Sequence, residues 1–148
     1  DGADWIWNRI APLFPGAIEI LDWAHTTENL WDTGKVLFGE GVKKPEEWVK
    51  REEGLLWAGK VKEVLGELKS LSTKGSKEKE AVRQLIGYYE RNQTRMDYAK
   101  YREKGLHIGS GGIESGIKNV VNNRLKQCGM IWDKERANQM LYLREQFC

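Results

Sequence analysis

The sequence predicts a mainly α-helical protein of the α+β class with a single β-strand. Apolar residues recur three and four positions apart along most of the 148 residues, which is the spacing of amphipathic helices. Only one short run, AIEILD at residues 17–22, combines β-branched residues with a preceding Pro-Gly turn in the manner of a strand. The length is sufficient for one compact domain with a substantial apolar core.

The first part of the chain is predicted to form a helix, a strand and a second helix. The apolar spacing within residues 1–14 is typical of a short amphipathic helix, which Pro15 stops. The strand of residues 17–22 follows. The second helix is predicted over residues 24–38, where Gly39 ends it.

Residues 42–106 are rich in Lys, Glu, Leu and Val and predict an all-helical insertion. Pro45 suits the start of its first helix. The polar run LSTKGSK at residues 71–77 predicts a turn, after which a long helix is expected from about Glu78 to Arg102. The pattern favours a helical hairpin whose charged residues form a solvated face.

Residues 107–148 are predicted to form two further helices. The run GSGG at residues 109–112 is a flexible start that places Glu114 in the first turn of the first helix. The second is expected from about Asp133, its N-cap, to Phe147. One face of the first helix should be buried, and its residues are Ile113, Ile117, Val120 and Val121. A second, polar face should carry Glu114, Lys118 and Asn122.

Composition excludes several classes of protein. No run approaches the roughly 20 apolar residues that span a membrane, so a cytoplasmic location is the default. Cys128 and Cys148 lack the spacing of a disulfide framework or a zinc site. A net charge of +2 does not by itself indicate a nucleic-acid-binding protein, but residues 118–126 carry three basic residues and no acidic one.

Residues 108–132, which include GSGGIESGIKNVVNNRLKQCGMIW, resemble the C-terminal catalytic segment of bacterial insertion-sequence transposases of the Mutator-related DDE type. An Asp-Gly step at Asp1, a Phe-Pro-Gly-Ala turn at residues 14–17, and Asp22 with His25 match the same family in the same order. The resemblance implies that the chain is the C-terminal part of an RNase-H-like fold, with one strand and a helical insertion.

The resemblance also implies roles for the matched residues. Asp1 and Glu114 would bind catalytic Mg²⁺ or Mn²⁺, and His25 would act at the scissile phosphate with Asp22 as its motif partner. The residues implied to bind DNA are Lys118, Asn122, Arg124 and Lys126. From the residues alone, a first-turn carboxylate suits capping as well as metal binding, and a lone histidine or a surface lysine is more often structural or solvated.

The same match predicts three segments: residues 1–41 with the second aspartate of the triad, the insertion at 42–106, and 107–148 with the glutamate. The first aspartate would lie upstream of Asp1, so the fragment alone is expected to be inactive. The intact bacterial enzyme is expected to be a cytoplasmic homo-oligomer that acts on element ends and target DNA, with no membrane partner.

A helical scaffold or protein-interaction domain without catalysis is the alternative. It would account for the Leu, Lys and Glu-rich middle of the chain. The two hypotheses differ on one point, because the transposase requires Asp1 and Glu114 to converge near Asp22 and His25, and a scaffold does not.

Overall fold

A computed structural model describes residues 4–39, 43–126 and 129–145 of the chain. The chain divides into two compact units, an N-terminal unit (Asp1–Ile108) and a C-terminal unit (Gly109–Cys148). The described residues are mainly helical and contain no β-strand, which confirms the prediction of a mainly α protein. None of the described helices has the length and apolarity needed to cross a membrane.

The described residues of the N-terminal unit form six helices around one apolar core. In chain order they are α1 (Asp4–Arg9), α2 (Trp23–Phe38), α3 (Lys43–Trp57), α4 (Val61–Ser70), α5 (Ser76–Asn92) and α6 (Tyr98–Glu103), with 3₁₀ turns at Ala11–Leu13 and Gln93–Arg95. Helix α2 packs against α3 and α5, and α4 packs against the same two helices. The fully buried apolar residues include Leu21, Leu30, Leu56, Val64 and Met96.

Helix α2 begins and ends close to the predicted positions. At its start, the side chain of Asp22 accepts a hydrogen bond from the backbone N–H of His25 at 2.9 Å, which satisfies one of the free donors of the first turn. At its end, Gly39 has φ of 83°, a left-handed conformation that glycine adopts without strain. Capping and glycine chemistry therefore determine both ends of this helix.

Residues 17–22 do not form the predicted β-strand, and this expectation was wrong. In place of a ladder, the N–H of Leu21 donates to the carbonyl of Arg95, and the N–H of Trp23 donates to that of Ile108, both at 2.9 Å. A strand is stable only when a neighbouring strand pairs with its backbone, and the described chain supplies none. The apolar pattern is still used, because Leu21 is fully buried in the helical core.

The long helix predicted from about Glu78 to Arg102 is two helices, α5 and α6, separated by a 3₁₀ turn. Met96 lies in the break and is fully buried. The side chain of Asp97 then caps α6 by accepting from the N–H of Lys100 at 3.3 Å. Burial of Met96 and capping by Asp97 favour a turn at this point, although helical spacing alone predicts one continuous helix.

The C-terminal unit contains α7 (Gly111–Gly116), a π-helical stretch (Ile117–Asn122), α8 (Asn123–Leu125) and α9 (Lys134–Glu145). Asp133 caps α9 as predicted, since its carboxylate accepts from the N–H of Arg136 at 2.9 Å. Ile117, predicted to face inward, is 48 % exposed. A unit of this size has too little chain to enclose a core, and none of its described side chains is buried.

One buried acid in the N-terminal unit has an unfavourable environment. Glu52 of α3 is fully buried, and its Oε2 atom has no hydrogen-bond partner among the residues that the structure describes. Its Oε1 atom accepts from Arg51 at 2.7 Å, and the same guanidinium also bonds Glu67. Burial raises the pKa of Glu52, the charge of Glu67 adds to the rise, and Arg51 opposes it. Ionised Glu52 therefore destabilises the fold.

We predict that Glu52→Gln stabilises the protein at neutral pH by about 1 kcal/mol, because the amide avoids burying a charge. Since the folded-state pKa lies above the unfolded value, the destabilisation by Glu52 is absent below the unfolded pKa and grows as pH rises through the folded pKa. Urea unfolding of both proteins between acid and neutral pH measures the difference. Glu47→Gln on the exposed face of the same helix is the control, and an equal gain in that variant would contradict this account.

Candidate functional site

The first candidate site is the N-terminus of α2, which carries the Asp22 and His25 motif. Asp22 is 7 % exposed, and its contact with His25 is the capping bond to the backbone N–H. The imidazole of His25 instead lies 3.4 Å from the carboxylate of Glu28, and the His25 side chain is 46 % exposed. The pair is thus joined through the backbone of His25, and the ring is available to solvent.

Two tyrosines hold this helix start in place. The hydroxyl of Tyr98 lies 2.7 Å from that of Thr26 and 3.1 Å from the carbonyl of Leu21. The Thr26 hydroxyl also donates to the carbonyl of Asp22 at 2.9 Å, and Tyr89 donates to the Thr26 carbonyl at 3.1 Å. These buried hydrogen bonds fix the backbone from Leu21 to Thr26, the stretch that carries His25.

The second candidate site is the start of α7 in the C-terminal unit. Glu114 lies in the first turn, as predicted, and is exposed. Its backbone N–H donates to the Ser110 carbonyl at 2.8 Å, and the Ser110 hydroxyl donates to Glu114 Oε1 at 2.5 Å. The carboxylate is therefore oriented by a neighbouring hydroxyl. Sequence reasoning did not assign a role to Ser110, although a serine four residues before a glutamate could have indicated this contact.

The predicted basic residues occupy the helical stretch that follows. Lys118 and Lys126 are exposed, whereas Asn122 is half-buried. The Oδ1 atom of Asn122 is buried without a hydrogen-bond partner in the described part of the chain. Arg124 belongs to α8, and its side chain lies outside the described part of the structure.

A π-helical stretch changes the face predicted for this segment. Glu114 lies in α7, but Lys118 and Asn122 lie in the π-helical turn, where residues about five apart replace residues about four apart as neighbours. The predicted alignment of the three side chains at four-residue intervals therefore does not continue along the segment. The hydrogen bond from Asn119 to Ser115 at 3.3 Å still links the two helical types.

The residues implied to hold metal can be tested only in part. Asp1 lies outside the described residues. Glu114 offers exposed carboxylate oxygen, the hard donor that Mg²⁺ and Mn²⁺ prefer, and so it fits as one ligand. Across residues 4–39, 43–126 and 129–145, no three His, Cys, Asp or Glu side chains group closely enough to hold a metal ion.

Comparison of the chain with protein-family models, curated proteins and solved structures finds no match. Any functional assignment consequently depends on the motifs and on the environments of these side chains.

We predict that Asp22 contributes to stability as the cap of α2. Asp22→Ala should lower the free energy of unfolding by about 1 kcal/mol, whereas Asp22→Asn, which retains a capping oxygen, should lower it by only a few tenths, about 0.3 kcal/mol. Urea unfolding followed by circular dichroism measures both. Equal losses in the two variants would show that the carboxylate charge, and not the cap, is what the fold requires.

Proposed function

We propose that this chain is the C-terminal part of the RNase-H-like catalytic domain of a Mutator-related DDE transposase. In the intact enzyme, water would attack a phosphodiester at the element end and displace the 3′ oxygen. The freed 3′ hydroxyl would then attack a phosphodiester of the target DNA and displace another 3′ oxygen.

The observation that carries this proposal is Glu114 in its setting. The residue matches the family glutamate, is exposed, lies in the first turn of a helix, and has its carboxylate oriented by Ser110. An oriented, accessible oxygen donor on a helix is what a metal ligand requires. The π-helical turn that follows adds support, since such turns occur frequently at functional sites. Asp1 would supply the second ligand to Mg²⁺ or Mn²⁺.

DNA contacts are proposed for the basic side chains after Glu114 and for His25. The ammonium groups of Lys118 and Lys126 are exposed and could neutralise phosphates, with Arg124 and Asn122 on the same segment. The exposed ring of His25, held by the capped start of α2, supports a role at a phosphate.

A helical scaffold without catalysis is the second candidate function, and one observation favours it. Asp22 already has a structural role as a helix cap, which needs no catalytic explanation. This candidate predicts no specific affinity for DNA.

The test is DNA binding by the double variant Lys118→Gln, Lys126→Gln. If these side chains neutralise two phosphates, the plot of the logarithm of the association constant against the logarithm of the salt concentration should have a slope shallower by about 2. The variant should also bind DNA more weakly at low salt concentration. Fluorescence anisotropy of a short labelled duplex measures both quantities.

Lys77→Gln, Lys79→Gln is the matched control, because both lysines are exposed on a helix of the N-terminal unit and the charge change is the same. We expect it to bind DNA with the affinity and salt slope of the unchanged chain. If the unchanged chain does not bind DNA, or if both double variants lose affinity equally, the proposed role of this segment is wrong and the scaffold is favoured.

A further inference from the structure

A cleft in the N-terminal unit has the features of an anion-binding site that neither candidate function uses. It lies between residues 17–19, the 3₁₀ turn before Met96, and α6, and its volume is about 390 Å³. Three cationic side chains, Arg95, Lys100 and Lys104, line it together with the single acid Glu19. The cleft wall therefore carries a net charge of +2.

The back of the cleft is rigid. Arg95 Nε donates to Glu19 Oε2 at 2.5 Å and Nη1 approaches Asn92 Oδ1 at 3.3 Å, while the guanidinium lies 4.3 Å from the ring centre of Trp7. The Tyr101 hydroxyl lies 3.2 Å from the carbonyl of Thr94. These contacts hold the 3₁₀ turn against residues 17–19, so the shape of the cleft exists before any ligand arrives.

The front of the cleft presents donors that the fold does not use. Lys100 and Lys104 are exposed one helical turn apart, and neither ammonium group has a hydrogen bond or ion pair within the described chain. The Thr94 hydroxyl and Nη2 of Arg95 also make no hydrogen bond there.

We propose that this cleft binds a phosphate group, either as free phosphate or as part of a nucleic-acid backbone. Lys100 and Lys104 supply charge, and Thr94 and Arg95 supply directed donors to the oxygen atoms. Glu19 does not prevent this, because the three cationic side chains of the cleft outweigh its single negative charge. The site belongs to the N-terminal unit alone and does not depend on the transposase assignment.

The test is titration of the whole chain with inorganic phosphate, followed by two-dimensional NMR of backbone amides. We expect saturable shifts at Thr94, Lys100 and Tyr101, with affinity lowered by about tenfold or more in Lys100→Gln, Lys104→Gln. The control is again Lys77→Gln, Lys79→Gln, which should bind phosphate as the unchanged chain does. Circular dichroism verifies that both double variants remain folded.

A labelled DNA duplex identifies the source of the phosphate. If the DNA backbone is the ligand, the Lys100→Gln, Lys104→Gln variant should show a salt slope of DNA binding shallower by about 2 than the control. If free phosphate is the ligand, this variant should bind DNA as the control does. Either result, with the phosphate shifts, supports the site. The proposal is overturned if phosphate causes no saturable shifts in the cleft and the cleft variant matches the control with DNA. A loss of DNA affinity in the Lys118→Gln, Lys126→Gln variant concerns the proposed function alone, because those residues lie outside the cleft.

Discussion

The hydroxyl of Tyr98 is the contact on which the arrangement of the N-terminal unit depends. It is buried between Leu21 and the first turn of α2, with contacts at 3.1 Å to the Leu21 carbonyl and 2.7 Å to the Thr26 hydroxyl. A buried hydroxyl without partners would cost roughly 1–3 kcal/mol, so these contacts join the start of α6 to the start of α2. Burial accordingly raises the pKa of Tyr98 and keeps the hydroxyl protonated as a donor.

The same constraint connects the two features of this unit that have chemical interest. Fixing Leu21 places the Asp22 cap after it, at the start of α2, whereas Glu19, two residues before it, pairs with Arg95 and forms part of the wall of the cleft. No described side chain of the C-terminal unit is buried in such a core. There the orientation of Glu114 depends on local contacts, chiefly the hydroxyl of Ser110, because the described side chains around it are not buried.

Local chemistry was predictable from the sequence, and tertiary contacts were not. The limits of α2, the cap at Asp133 and the first-turn position of Glu114 follow from capping residues, glycine and helical spacing. The failed strand at residues 17–22 depended on a pairing partner elsewhere in the chain, which no local pattern reveals. The break at Met96 likewise depends on burial among other helices, and no sequence periodicity predicts the π-helical turn. Sequence motifs identify the candidate residues, whereas only the three-dimensional structure shows which side chains they contact.

The proposed function requires Asp1 and Glu114 to hold the catalytic metal ions. The most direct measurement is a crystal structure of the chain with Mn²⁺, in which anomalous scattering locates the ion. We expect a peak in direct contact with the Glu114 carboxylate and the Asp1 carboxylate within roughly 8 Å of it, as a shared two-metal centre requires, and loss of the peak in Glu114→Gln. Mn²⁺ bound only elsewhere, or two carboxylates far apart in the ordered crystal, would contradict the transposase assignment.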